Sequence, residues 1–364
     1  MKTFFLISGE ASGDLHASRL IRALRSRESD ARFVGFGGYR MQAEGCELIQ
    51  HYREMSYMGF VDVALNAHKV CHNFALAKQS LLRIQPEHLI LVDYPSFNLR
   101  IARFCRRHLP DTRITYYIPP KAWAWKQRRV HAIARLTHQV LGIFPFEEDF
   151  YSRYGYRCTY VGNPTVESVS SWQQAHPNEA HVVRQPIIAL LPGSRPSEIR
   201  HCLPVMLRAA RRVANGRRIV VTAAPGIEDS FYTPYLEDET LTRDTYALVS
   251  CASAAVVNSG TATLEAALLH CPQVAVYYVA GSSWLGWLRP IIFRTPWFTL
   301  PNIIARRTVI KELVGNQFRE QTIAEELALL LHDEAYKRDM LVGYEHISCI
   351  LGTDTASHRA AELI

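Results

Sequence analysis

Short apolar runs alternate with amphipathic stretches along most of the chain, the pattern of buried strands followed by helices. Thr3 to Ile7 is the first run. It opens into a small-residue loop, Ser8-Gly9-Glu10-Ala11-Ser12-Gly13-Asp14, after which Ala17, Leu20, Ile21 and Leu24 recur on one helical face. Further strands are expected at Phe33–Gly35, His88–Val92, Ile114–Ile118, Val140–Ile143 and Cys158–Val161, with helices around Ser56–Leu82 and Asn98–His108. Such alternation predicts a parallel sheet with helices on both faces.

Residues 167–185 interrupt this order; polar and without a clear period, they read as a linker. A second series follows, with strands at Ile187–Leu191, Ile219–Thr222, Ala254–Val257 and Val274–Val279, and helices over Glu198–Ala214 and from Ala262. The expected organisation is an α/β chain with one lobe over 1–166, a linker over 167–185 and a second lobe over 186–344. A helix over 345–364 is free to cross between the lobes. The natural place for a ligand is the cleft between two such lobes.

Composition narrows the class. A chain of 364 residues with 48% apolar and 21% charged residues is globular and long enough for two domains. The eight cysteines are scattered, without zinc spacing or a C-x-x-C pair, and suit a reducing compartment. Glu10 and Asp14 come too early for a signal peptide, so the chain is expected to be cytosolic. From Ala266 to Leu288 there is no charged residue, but His270, Pro272, Gly281, Ser282 and Ser283 interrupt the stretch, which reads as helix, strand and loop rather than a membrane span.

The net charge of +7 is concentrated. Arg100, Arg103, Arg106, Arg107, Arg113, Lys121, Lys126, Arg128, Arg129 and Arg135 face only Asp111 in the same stretch. These are either solvated helix faces or a surface for an anionic membrane or a phosphorylated ligand. No nucleic-acid motif accompanies them, so no nucleic-acid partner is expected.

Four strand-to-helix loops stand out. In the first, Ser8, Glu10, Ser12 and Gly13 begin a helix whose free N–H groups attract anions, although a tight turn and cap explains them too. Its glycines do not fit a dinucleotide fingerprint. In the second, Asp93 ends a buried strand before Tyr94-Pro95-Ser96-Phe97-Asn98, and partial desolvation would suit it to act as a general base; an N-cap carboxylate is the competing reading.

The third loop, Gly193-Ser194-Arg195 with Glu198 beyond it, combines backbone donors with a guanidinium suited to a diphosphate, or is a surface turn. In the fourth, Gly260-Thr261-Ala262-Thr263 lets a phosphate approach a helix start while Glu265 accepts from ribose hydroxyls; a capping box around Thr261 is the alternative. Together the last two describe a nucleotide-diphosphate pocket. There is no Walker lysine, and no carboxylate or histidine cluster points to a bound metal or other cofactor.

Several blocks in one order carry a resemblance: Ser8 to Asp14, Gly37-Gly38-Tyr39-Arg40-Met41, Asp93 to Asn98, Pro120-Lys121-Ala122-Trp123-Ala124-Trp125, Leu191 to Arg195, Ser259 to Glu265 and Leu300-Pro301-Asn302. Through them the chain resembles the lipid-A-disaccharide synthase family, inverting glycosyltransferases with two Rossmann-like lobes (the GT-B type).

The resemblance implies UDP-2,3-diacylglucosamine as donor and 2,3-diacylglucosamine 1-phosphate (lipid X) as acceptor, with UDP and a β-1,6-linked disaccharide as products. It implies that Asp93 is the base and that Arg195, Glu265 and Asn302 serve the donor. It also implies a peripheral place at the cytoplasmic face of the inner membrane and a homodimer.

Two positions depart from the family pattern: Ser96 stands where a second aspartate is common, and Asn163 where a histidine is frequent. Candidate membrane-facing residues are Val61, Val63, Ala64, Leu65, Val70 and Phe74, and Trp284, Leu285, Trp287, Leu288, Ile291, Ile292, Phe293 and Trp297, all of which would equally serve as core. Another UDP-sugar enzyme, an epimerase or a transferase with a soluble acceptor, and a non-catalytic phospholipid-binding protein remain the alternatives.

Overall fold

The computed structural model describes residues 1–55, 67–123, 127–180, 184–278 and 296–364. The chain divides into two compact units, Met1–Pro164 with Asp354–Ile364, and Thr165–Thr353.

In the first unit the strands are β1 (Thr3–Ser8), β2 (Arg32–Gly37), β3 (Glu47–His51), β4 (His88–Val92), β5 (Arg113–Tyr117), β6 (Gln139–Gly142) and β7 (Thr159–Tyr160). The helices are α1 (Ala11–Arg27), α2 (Tyr39–Ala43), α3 (Ala67–Ile84), α4 (Pro95–His108), α5 (Arg129–Leu136) and α6 (Phe146–Ser152). The strands form one parallel sheet in the order β3-β2-β1-β4-β5-β6-β7. The first lobe is thus a Rossmann-like unit, as the alternation predicts. β1 and β4 are apolar without interruption because helices cover both faces of the sheet. Ala17, Leu20, Ile21 and Leu24 of α1 are buried, the face read from their spacing.

The second unit starts with a helix where a linker was expected: α7 spans Pro164–Ala175, followed by the single turn α8 (Pro177–Ala180). Its apolar stripe is only Val166, Val169 and a half-buried Trp172, too narrow to stand out among serines and glutamines. The strands are β8 (Gln185–Leu191), β9 (Arg218–Thr222), β10 (Thr240–Thr242), β11 (Ala252–Asn258), β12 (Gln273–Tyr277) and β13 (Lys311–Val314). The helices are α9 (Pro196–Val213), α10 (Thr245–Cys251), α11 (Thr261–Leu268), α12 (Leu300–Ala305), α13 (Glu320–His332) and α14 (Glu334–Leu351). This sheet is also parallel, in the order β10-β9-β8-β11-β12-β13. After Gly352 the chain rejoins the first unit as α15 (Ala356–Leu363), whose Ala360 and Ala361 enter the core around α1.

Each sheet has a point where the strand order reverses, and there the loops leaving two neighbouring strands diverge and leave room for a ligand. In the first sheet it lies between β1 and β4, with Ser8 opposite Val92. In the second it lies between β8 and β11, with Leu191 opposite Val257. These two pairs of strands deliver the four loops singled out above. Among the described residues no helix is long and apolar enough to cross a membrane. Of the apolar candidates, Val70 and Phe74 lie on α3 and Trp297 donates to Thr308 Oγ1 at 3.2 Å; Val61 to Leu65 and Trp284 to Phe293 fall outside the described residues.

Candidate active site

The end of β4 is held in an unusual backbone conformation. Asp93 and Tyr94 both adopt left-handed φ values, 46° and 45°, which cost a non-glycine residue about 1 kcal/mol or more and persist only where its surroundings enforce them. Here they do. The Asp93 carbonyl accepts hydrogen bonds from the Tyr116 hydroxyl and the Asn98 amide, each 2.7 Å, while the Asp93 N–H reaches the Ile118 carbonyl at 3.3 Å. Tyr94 donates to the Met55 carbonyl at 2.6 Å, and its ring lies against Gly9, where a Cβ would fall 2.3 Å from the ring carbon Cγ. The glycine of the first loop is therefore required by the second.

Asp93 is half-buried and is not the cap of α4; Tyr94 holds that position. Burial raises the Asp93 carboxyl above its ordinary value, against the Lys121 ammonium and the Tyr94 N–H, which favour the ionised form. Lys121 follows β5, the next strand in the sheet. Solvent reaches it, yet the protein atoms crowded around it lower its pKa, opposed by Asp93 and Glu147. Glu147, after β6, is fully buried. It accepts from the N–H groups of Ile143 (2.8 Å) and Phe144 (3.0 Å) and from Trp123 Nε1 (3.2 Å), and burial still pushes it up to about 7. The segments that follow three neighbouring strands thus carry Asp93, Lys121 and Glu147.

The first loop is more structural than its composition suggests. The Ser8 hydroxyl is fully buried and donates to the Glu10 carbonyl at 3.3 Å; Gly13 leaves it room, since a Cβ there would stand 2.6 Å from Ser8 Oγ. Glu10 is the cap residue of α1 and Ser12 is exposed in its first turn. Asp14, in the first turn of α1, holds the fold here: its carboxylate accepts from the N–H groups of Gly38 (2.7 Å), Arg40 (3.2 Å) and Met41 (3.1 Å), tying the start of α1 to the start of α2. An aspartate at one helix start and a Gly-Gly turn some 24 residues later are linked only once β1 and β2 pair and bring their carboxyl ends together.

In the second unit, Gly193 has φ +117°, a value that only glycine adopts freely, and a Cβ there would lie 2.6 Å from Glu198 Oε2 and 2.7 Å from Asn258 Nδ2. Ser194 N–H donates to Glu198 Oε2 at 3.0 Å, and Arg195 is the cap residue of α9, its guanidinium 58% exposed and 3.5 Å from Glu198. A pair this exposed contributes little to stability, so the arginine is available to a ligand.

Beside this loop, Gly260 rather than Thr261 caps α11, which overturns the capping-box alternative. Thr261 is exposed and Ala262 half-buried, whereas Thr263 is buried with its hydroxyl donating to the Gly260 carbonyl at 2.8 Å. Glu265 accepts from the Tyr246 hydroxyl at 2.9 Å, and burial raises its pKa against that bond. Trp172 of α7 packs edge-on to Tyr246 at 5.9 Å, so the stretch read as a linker supports the partner of Glu265.

Asn302 departs from the donor-contact role. It is fully buried; its Nδ2 donates to the Ile310 carbonyl and to Glu312, both at 2.9 Å, and its Oδ1 accepts from the N–H groups of Val309 (2.7 Å) and Ile310 (3.0 Å). Both donors and both lone pairs are used within the protein, which leaves the amide nothing for a nucleotide. Asn163, which stands where the family pattern has a histidine, is buried and donates to the Ile143 carbonyl at 3.0 Å.

A family model for lipid-A-disaccharide synthetase matches residues 4–359. Among full-length relatives, the lipid-A-disaccharide synthase of Myxococcus xanthus is 37% identical over 99% of this chain and 96% of its own, and that of Geobacter sulfurreducens is 32% identical over 99% and 95%. Solved structures with a similar fold include S. aureus MnaA solved with UDP (TM-score 0.66, 12% identity, 99% of this chain and 95% of that one). Another is the calicheamicin glycosyltransferase CalG4 (TM-score 0.61, 12% identity, 100% and 97%). At these identities the structures speak to the fold alone, two Rossmann-like lobes of the GT-B type. The family model and the relatives agree on more: this chain is a glycosyltransferase and belongs to the lipid-A-disaccharide synthetase family.

Proposed function

We propose that the chain transfers 2,3-diacylglucosamine from UDP-2,3-diacylglucosamine to the 6-hydroxyl of lipid X, with inversion. In this reading the acceptor oxygen forms a bond to C1 of the donor sugar as the bond from C1 to the diphosphate oxygen breaks. The electron pair leaves with UDP and the hydroxyl proton passes to Asp93. Arg195, the backbone of Gly193 and Ser194, and the first turn of α11 at Gly260, Thr261, Ala262 and Thr263 take the negative charge that builds on the diphosphate. Glu265 accepts from the ribose hydroxyls.

The observation that carries this reading is the end of β4, where a strained and fully braced backbone presents a partly desolvated carboxylate at the switch point of its sheet. Because both substrates of this reading carry acyl chains, the reading puts the enzyme at a membrane surface as a peripheral protein, on the cytoplasmic side as the family resemblance implies.

The test is incubation of the purified chain with both lipid substrates in detergent, followed by thin-layer chromatography and mass spectrometry for UDP and the disaccharide. Formation of both supports the proposal. Release of UDP without disaccharide, or a changed donor sugar without transfer, would replace it with a hydrolase or an epimerase.

A further inference from the structure

On the flank of the first unit, α3 and α4 leave a surface groove of about 950 Å³ lined by Phe74, Lys78, Arg100, Arg103, Phe104 and Arg107, among others. The two helices contain seven Lys or Arg and no Asp or Glu. Several exposed arginines elsewhere meet carboxylates: Arg22 pairs with Glu44, Arg32 with Glu47, and Arg208 and Arg212 with Glu320. In the groove they do not, among the described residues. Lys78 instead lies over the Phe104 ring at 5.4 Å and Arg100 over the Phe74 ring at 5.3 Å, and Phe74 is stacked on Phe97 at 4.4 Å.

We infer that this groove is where the protein docks on a bilayer, with Lys78, Arg100, Arg103 and Arg107 engaging the phosphates of acidic lipid headgroups. This deepens the membrane placement proposed above by naming the face and the lipid chemistry. Charge complementarity carries the choice of occupant. Four exposed cations without compensating carboxylates form a positive face that an anionic surface neutralises. Because the cations are spread along two helices and do not converge on a buried point, they suit a field of phosphates better than one phosphate ion. Each ring is already engaged by one of the protein's own cations and by a second ring, Phe97 on Phe74 and His108 on Phe104, so a nucleic-acid base would have to displace these contacts to stack there.

The experiment is co-sedimentation of the full chain, without substrates, with vesicles of phosphatidylcholine alone and of phosphatidylcholine mixed with phosphatidylglycerol. The wild type is expected in the pellet only with phosphatidylglycerol, and less so as salt is raised. Each basic side chain near an anionic surface is worth about fivefold in partitioning, so Arg100→Gln, Arg103→Gln and Arg107→Gln together should weaken binding by about a hundredfold. A control removes equal charge elsewhere, through Arg208→Gln, Arg212→Gln and Arg243→Gln, and should bind as the wild type does.

If the triple variant does not fold, judged by circular dichroism, Arg103→Gln alone should show about the fivefold loss. Unchanged partitioning of the groove variant, an equal loss in the control, or equal binding to phosphatidylcholine vesicles overturns the inference. So does groove-dependent binding of a labelled single-stranded DNA with no groove-dependent binding of vesicles. Because the readout needs neither substrate nor turnover, it fails or succeeds independently of the role given to Asp93.

Discussion

The Tyr116 hydroxyl, on β5, donates a 2.7 Å hydrogen bond to the main-chain carbonyl of Asp93, at the end of the neighbouring strand β4. It holds the backbone of the proposed base rather than its carboxylate. Tyr116→Phe leaves that carbonyl with Asn98 alone and should cost about 1 kcal/mol of stability. The turn should also relax, so that kcat falls severalfold while the affinity for UDP stays as it was. Thermal unfolding and steady-state kinetics would check both, and a wild-type kcat would detach the strained turn from catalysis.

Asp93→Asn is expected to lower turnover by ~10²–10⁴-fold, the usual share of a general base, without changing the fold or UDP binding. The pH profile carries a separate signature. A base must be ionised to act, so kcat/KM rises with pH through the folded pKa of Asp93, which burial lifts above its ordinary 3.8. The acid limb should therefore lie above that value and vanish in the variant. An acid limb that persists in Asp93→Asn would assign it to another group.

Removal of the Arg195 guanidinium should weaken UDP binding by about 10–100-fold, the range for a charge-assisted hydrogen bond to a diphosphate. Stability should hardly change, because the contact it loses with Glu198 is solvent-exposed. Isothermal titration calorimetry of Arg195→Ala with UDP decides the matter: an unaltered Kd would take the diphosphate away from this loop.

Asn302→Ala should behave differently from Arg195→Ala. It strips the partners from the Val309 and Ile310 N–H groups and from the Ile310 carbonyl, all held by the buried amide, so a loss of about 2–5 kcal/mol is expected. A well-folded variant with unchanged melting temperature and weakened UDP affinity would restore the donor-contact role.

Glu147 links the site to pH-dependent stability. Its carboxyl is raised from 4.5 to about 7, so the folded chain holds this proton more tightly than the unfolded chain does. The stability contributed by that proton is complete below 4.5 and is lost as pH rises through about 7. Urea unfolding at about pH 5 and about pH 7.5 should show the wild type losing stability relative to Glu147→Gln over that interval. Parallel behaviour of the two proteins would mean that Glu147 is ionised throughout.

Residue order alone disclosed the two series of strands and helices, the loops that end in Asp93 and Arg195, and the continuous apolar runs of β1, β4 and β8. These are properties of neighbours in the chain: periodicity, small residues after a strand, a charge where an apolar run stops. The edge strands β3 and β13 were not legible, because most of their residues are only partly buried and neither carries a long apolar run. α7 was hidden by the thinness of its buried stripe.

Only the tertiary structure decided which loops become partners and which polar groups are already spent. Ser8 lies beside Val92, and Leu191 beside Val257, because each sheet reverses its order at that point. The closeness of β1 and β4 turns Gly9 into a seat for Tyr94, the pairing of β1 with β2 brings Asp14 to the N–H groups at the start of α2, and the packing of α10 beside α11 pairs Glu265 with Tyr246. The turn from α12 into β13 likewise exhausts Asn302, whose four hydrogen bonds reach Val309, Ile310 and Glu312, residues that no periodicity links to it. A donor or acceptor in the sequence states what a side chain can offer; whether any of that capacity remains for a substrate depends on the groups the fold brings within about 3 Å of it.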